Sequence, residues 1–278
     1  MNELFVISLK AKHRSEGTIR EYAKAIENCM TYVNKPEAEI KPIDLELWQS
    51  SMSNLSSASV AQRTSAVREY FKFLYRNEFI SRNPAEMLEA PQIKNREQSA
   101  LNGEQVRAMV NASTNLRNKA IIMMLAQTGL RIHELANITL EQYESRSNNV
   151  LVIRGKGDKD RLVGLADETI KLIDSYIANE RKNTCEYLFV GNRGNKMDGK
   201  NTSAMLKVCA RKAGIENWSE LHISNHTMRR TFATMMSEAD VPIEVISKAM
   251  GHSGIQVTSR YVKRTEQRAV NAMSVVNF

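Results

Sequence analysis

Residues 148–167 read NNVLVIRGKGDKDRLVGLAD, and this stretch differs in kind from its surroundings. Val150, Val152 and Ile153 favour β-structure, a polar glycine-containing turn follows, and Leu162, Val163 and Leu165 favour it again. Two short runs joined by such a turn predict an antiparallel hairpin. Outward in both directions the pattern is helical. The fold class expected is therefore mainly α, with a small antiparallel β-sheet in the second of two domains.

On the C-terminal side, helices are predicted over DETIKLIDSYIANERK (167–182), NTSAMLKVCARKAG (201–214), HTMRRTFATMMSEA (226–239) and PIEVISKAM (242–250), the last ending at Gly251. A helical tail is expected from about Thr265 to Val276. On the N-terminal side, NGEQVRAMVNAS (102–113) reads as a short helix opened by the turn at Asn102-Gly103. RNKAIIMMLAQTGL (117–130) reads as a buried helix ending at Gly129.

Residues 1–88 read as helix throughout. In GTIREYAKAIENCMTYV (17–33), Ile19, Tyr22, Ala23, Ile26, Met30 and Val33 recur at three- and four-residue spacing, closed by Asn34 and Lys35-Pro36. Next, PIDLELWQSSM (42–52) offers Leu45, Leu47 and Trp48 to the core. In ASVAQRTSAVREYFKFLYRNEF (58–79), Val60, Thr64, Val67, Phe71 and Leu74 form a buried stripe. Arg63, Arg68, Lys72 and Arg76 can lie away from that stripe, either as a plain solvated face or as contacts to a polyanion. The run NPAEMLEAPQIKNREQSA (83–100) has two prolines and few large apolar residues, and reads as an extended linker. The division expected is residues 1–93, a linker at 94–99, and a second domain over 100–278.

The 278 residues carry a net charge of +8, which favours a polyanionic partner. Residues 1–99 hold 14 Lys+Arg against 13 Asp+Glu, and the remainder holds 25 against 18, so the second domain carries most of the attraction. Cys29, Cys185 and Cys209 are odd in number and widely spaced, which excludes a disulfide framework and fits a reducing, cytoplasmic compartment. No apolar run approaches the ~18 residues that a membrane span needs.

Four segments carry chemistry: TGLRIHEL (Arg131, Glu134), RGKGDKDR (Lys156, Lys159), HTMRR (His226, Arg229, Arg230) and GHSGIQVTSRY (His252, Tyr261). Each alone has an ordinary structural explanation. Together they supply what phosphodiester cleavage needs. Arginine offers a planar fork that matches two non-bridging phosphate oxygens, and two forks can neutralise the charge gathering on phosphorus. A tyrosine hydroxyl, with a free pKa near ~10, attacks at neutral pH only with a base or strongly cationic surroundings. Histidine can move that proton, and a lysine can protonate the leaving oxygen. No metal and no cofactor is required. His222 and His226 have a zinc-like spacing but lack a third ligand. RGKGDKD lacks the G-x-x-x-x-G-K-[ST] order of a phosphate loop.

At these residues the chain resembles the tyrosine recombinase (phage integrase) family. The resemblance rests on the order R–K–HxxR–H–Y, on TGLRIHEL, GKGDKDR, HTMRRTFA and GHSGIQVTSRYV, and on TIREY and VREYFKFLYRNEFISRNPAE in the first domain. It implies a helical core-binding domain followed by a catalytic domain whose tail, about 265–278, is exchanged between protomers. It implies a site-specific DNA recombinase, with Arg131 and Arg229 as phosphate clamp, Tyr261 as nucleophile and Lys156 as general acid. His226 becomes a proton relay or base, His252 a hydrogen-bond donor to the phosphate, and Glu134 a brace. Arg63, Arg68, Lys72, Arg76, Lys159 and Arg230 are candidate DNA contacts. The partners implied are a double-stranded DNA target site and a homotetramer on two such sites, with accessory proteins left open and no membrane. Arg230 stands where many members have histidine, and His133 where small residues are common. No long arm-binding domain precedes the first helices, so the chain is most similar to short Xer-like or integron-like members. A type IB topoisomerase-like relaxing activity, or a DNA-binding protein without turnover on the same fold, are the alternative functions.

Overall fold

The structure, a computed structural model, describes residues 3–92, 100–154, 160–182 and 184–251. The chain forms two compact units, Met1–Arg96 and Glu97–Phe278.

Among the described residues the first unit has four α-helices, α1 (Glu3–Ala11), α2 (Glu16–Val33), α3 (Pro42–Ser50) and α4 (Ser57–Arg76), with a 3-10 turn at Glu37–Glu39. Ser15 caps α2 by accepting from the Thr18 amide at 3.2 Å, and Asn34 closes it in the left-handed region at φ 48°. The stripe Val60, Thr64, Val67, Phe71 and Leu74 of α4 is buried, against Phe5, Ile26 and Trp48 in the same core. Trp48 donates through Nε1 to Asn28 Oδ1 at 3.0 Å, satisfying the one polar atom of that buried ring and tying α3 to α2.

Three expectations fail here. Leu47 is 53% exposed, because Leu45 and Trp48 already take the inward positions of a helix only nine residues long. Residues 77–92 are turns and extended chain rather than helix. Nor are they a free linker: Ile80, Ala85 and Leu88 are buried in the first core, and Gln49 Nε2 donates to the Glu89 carbonyl at 2.8 Å. Three modest apolar residues are enough to lay a proline-containing segment on the unit.

The second unit contains α5 (Gly103–Ala112), α6 (Leu116–Thr128), α7 (Ile132–Asn137), α8 (Leu140–Glu144), β1 (Val150–Arg154), β2 (Asp160–Gly164), α9 (Asp167–Asn179), α10 (Gly199–Lys212), α11 (Asn225–Glu238) and α12 (Ile243–Met250). Helix α6 is central, with Ile121, Ile122, Met124, Leu125 and Thr128 all buried. Strands β1 and β2 pair antiparallel, Leu151 opposite Val163 and Ile153 opposite Arg161. Side chains alternate across a strand, so Leu151, Ile153 and Val163 enter the core while Val152 (52%) and Leu162 (72%) face solvent. Helices α7 and α8 are too short for periodicity to reveal. The segment between α9 and α10 has no helix among the described residues and is tied down by bridges Thr139–Tyr187 and Val190–Lys196. The tail expected at 265–278 lies outside the described residues.

Gly129 ends α6 at φ +58°, and a Cβ there would stand 2.4 Å from Cδ1 of Phe232. Gly129→Ala therefore meets both left-handed strain and an overpacked ring. We expect a loss of about 2–5 kcal/mol, read as a lowered urea midpoint. A midpoint equal to wild type would show that this close approach of α6 and α11 is wrong.

Candidate active site

The site begins where α6 stops. Gly129 turns the chain, Leu130 is buried, and Arg131 becomes the N-cap of α7 with extended backbone. Glu134, one turn on, accepts from the Arg131 amide at 2.7 Å through Oε2 and from Arg131 Nη1 at 3.0 Å through Oε1. An acid in the first turn complements the positive end of the helix. Here it also orients the guanidinium. Arg131 keeps 31% of its side chain exposed, while Glu134 has 1%.

A second arginine reaches the same carboxylate. Arg161 on β2 donates from Nη2 to Glu134 Oε2 at 2.8 Å, with only 11% of its side chain exposed. Its Nε and Nη1 are buried and have no hydrogen-bond partner among the described residues.

Arg229 comes from α11 and is buried among the inward-facing Met228, Phe232 and Ala233 of that helix. Its Nη1 donates to the Gly129 carbonyl at the end of α6, and its Nη2 to the Met250 carbonyl at the end of α12, 2.5 Å away. Arg131 Nη2 donates to the next carbonyl, Gly251, at 3.2 Å. Helix C-termini expose unsatisfied carbonyls with partial negative charge, and guanidinium groups answer both needs. Gly251 has φ +63°, and a Cβ on it would lie 2.4 Å from Arg161 Nη1. Arg131, Arg161 and Arg229 thus gather at the end of α12, with one buried carboxylate shared by two of them.

His226 is exposed on the first turn of α11, three residues before Arg229. Lost hydration on its inner side, and then the charges of Arg230, Arg229 and Arg131, hold its pKa below the ordinary 6.5. That shift favours the neutral imidazole, the form able to accept a proton. Arg230 is half-buried and donates from Nη2 to Thr227 Oγ1 at 3.1 Å. His222, the other half of the zinc-like pair, lies in the loop before α11 rather than on the helix.

Of the residues singled out by sequence, Arg131, Glu134, His226, Arg229 and Arg230 come together in the second unit. Lys156, Lys159, His252 and Tyr261 lie outside the described residues. In the first unit, Arg68, Lys72 and Arg76 are exposed and line one groove with Ser65, Tyr75 and Asn83. Arg63 lies on another groove, beside Glu21 and Asn28, so the four cations do not form a single face. Sequence reasoning passed over Arg161. Its signal was parity: Arg161, Val163 and Leu165 fall on one face of the strand, and a charge on a buried face needs a partner.

Comparison with known proteins adds to this geometry. A family model described as "Phage integrase family" matches residues 99–268, and one described as "Phage integrase, N-terminal SAM-like domain" matches residues 3–78. Tyrosine recombinase XerD of Yersinia pestis is 30% identical over 272 residues, covering 92% of this chain and 90% of its own length. Tyrosine recombinase XerA of Pyrococcus horikoshii is 29% identical over 274 residues, covering 98% and 91%. Among solved structures, a crystal structure of XerA recombinase matches with TM-score 0.56 and 26% identity, covering 99% of this chain and 97% of that one. XerH bound to palindromic difH substrate, in a post-cleavage complex, shares the fold at TM-score 0.74 and 20% identity, covering 96% and 82%.

Proposed function

Because this chain belongs to the phage integrase family, we propose that it is a site-specific DNA recombinase that cuts and rejoins strands through a covalent 3′-phosphotyrosyl intermediate. The relatives named above are tyrosine recombinases, and a neighbouring structure in the same fold is a site-specific recombinase in a post-cleavage complex with its difH substrate. The observation that carries the reading is the meeting of Arg131 and Arg229 on consecutive carbonyls at the end of α12. The segment that follows in the sequence holds His252 and Tyr261.

In this reading the Tyr261 oxygen attacks the scissile phosphorus as the bond to the 5′ oxygen breaks. Arg131 and Arg229 hold the non-bridging oxygens, whose negative charge grows in the transition state. Neutral His226 takes or relays the phenolic proton, His252 donates to the phosphate, and Lys156 protonates the departing 5′ oxygen. A 5′ hydroxyl from the partner duplex then reverses the step, releasing Tyr261. Glu134 reacts with nothing; it keeps Arg131 in place. Arg68, Lys72 and Arg76 contact backbone phosphates, adding salt-dependent affinity without reading sequence. The working assembly is a tetramer on two double-stranded sites, formed through exchange of the 265–278 tail.

The test uses a duplex selected by the wild-type chain from a randomised library, nicked so that cleavage releases a short fragment and traps the protein. Wild-type protein should give a covalent adduct in excess EDTA; no adduct on any selected duplex would overturn the proposal. Relaxation of a single supercoiled circle without strand exchange would instead indicate topoisomerase-like activity. Lys156→Ala should cleave slowly and recover on a substrate with a 5′-bridging phosphorothiolate, which needs no proton to leave. Absence of that recovery would remove Lys156 from the general-acid role.

A further inference from the structure

We propose that Arg161, outside the residues given catalytic roles above, is a positioning residue that fixes the Arg131 guanidinium through Glu134; this rests on the recombinase reading. Arg161 lies on the inward face of β2, opposite Ile153 and in register with Val163 and Leu165. For stability alone an apolar side chain would serve better there. Burying a guanidinium costs several kcal/mol, and a buried ion pair is weak evidence of stabilisation. Arg161 buries its guanidinium with two nitrogens lacking a partner among the described residues, and the bond it does make goes to Glu134.

What that bond does is set by the carboxylate's other contacts. Glu134 has two oxygens: Oε1 receives Arg131 Nη1, and Oε2 receives both the Arg131 amide and Arg161 Nη2. Without Arg161 the carboxylate keeps the Arg131 bonds but loses its tether to the hairpin, and is free to swing with the arginine it should restrain. Arg161 also fills the space beneath Gly251, whose carbonyl receives Arg131 Nη2. One side chain therefore sets two of the acceptors that aim Arg131. Burial lowers the pKa of Arg161, Glu134 raises it and Arg131 lowers it further, as expected for two cations held around one acid.

The experiment compares Arg161→Met, Arg161→Lys, Glu134→Gln and the double variant Arg161→Met/Glu134→Gln in the full chain. It measures single-turnover cleavage of the selected nicked duplex, affinity for its uncut form, and the thermal midpoint. Arg161→Met should slow cleavage roughly 10²-fold, the scale of a small misplacement of a catalytic group. Affinity and midpoint should stay close to wild type, because Met fills the apolar side of the strand and Glu134 retains Arg131. Arg161→Lys should recover part of the rate, since a single donor to Oε2 is what has to be replaced. The double variant should be no slower than the worse single variant, the mark of residues acting through one contact. Wild-type cleavage by Arg161→Met, or losses that add in the double variant, would overturn the proposal. A fall in midpoint that Arg161→Lys leaves uncorrected would also overturn it, marking a structural role only. Absence of any wild-type adduct would overturn this proposal and the recombinase reading together, whereas an adduct with an unaffected Arg161→Met variant would leave the reading standing.

Discussion

Tyr261→Phe should yield no covalent DNA adduct while binding the selected duplex as tightly as wild type. The substitution removes one oxygen and keeps the ring, so packing changes little and the nucleophile is gone. A phenol with an ordinary pKa near ~10 is nearly all protonated at pH 7, and its attack depends on surroundings that favour its ionised form. Phenylalanine offers those surroundings nothing to activate. Loss of an essential nucleophile costs roughly 10⁴-fold or more in other covalent enzymes. On a trapping gel the adduct band should vanish, and on a mobility-shift gel the complex should remain. An undiminished adduct would place the nucleophile elsewhere, and loss of both bands would show that the variant no longer folds.

Arg131→Ala and Arg229→Ala should each slow cleavage by about 10²–10³-fold, the usual scale for removing a donor from a developing negative charge. The structure separates them in a second property. Arg131 is partly exposed and its removal leaves Glu134 bonded to Arg161, so its thermal midpoint should hold. Arg229 is buried and bridges the carbonyl ends of α6 and α12, so its alanine variant orphans acceptors at two helix termini and opens a cavity. A clear fall in midpoint is expected for Arg229→Ala alone. Arg229→Lys should not restore it, because an ammonium cannot span two carbonyls in the plane of a fork. Recombination at wild-type rate by Arg131→Ala would mean the phosphate clamp is misassigned. Equal midpoints for the two alanine variants would contradict the bridging role of Arg229.

Much of the architecture was legible because local signals agreed. The stripe on α4, the Asn102-Gly103 pair that opens α5, the glycines that end α6 and α12, and the β-favouring runs around residues 154–160 each point to one structure. The failures have a common cause. Leu47 was counted as core because a nine-residue helix shows too little periodicity to rank its apolar positions. Proline and charge make the run 83–100 read as linker, yet the tertiary structure buries Ala85 and Leu88 within it. Arg131 and Glu134 were legible as an arginine and an acid at capping spacing. The third member of their cluster was not, since Arg161 lies in a strand 27 residues beyond Glu134.

By itself the sequence determined the longer helices, the two β-favouring runs, the charge surplus of the second half and which residue types are offered to a phosphate. Those follow from near-neighbour chemistry: side-chain period, backbone freedom at glycine, and the donors each residue type carries. Only the tertiary structure decided that Arg229 answers the carbonyls of Gly129 and Met250, that Arg131 takes Gly251, and that Glu134 also receives Arg161. Those contacts join elements far apart in the chain. They arise from how α6, α7, α11, α12 and β2 pack, which no local pattern encodes.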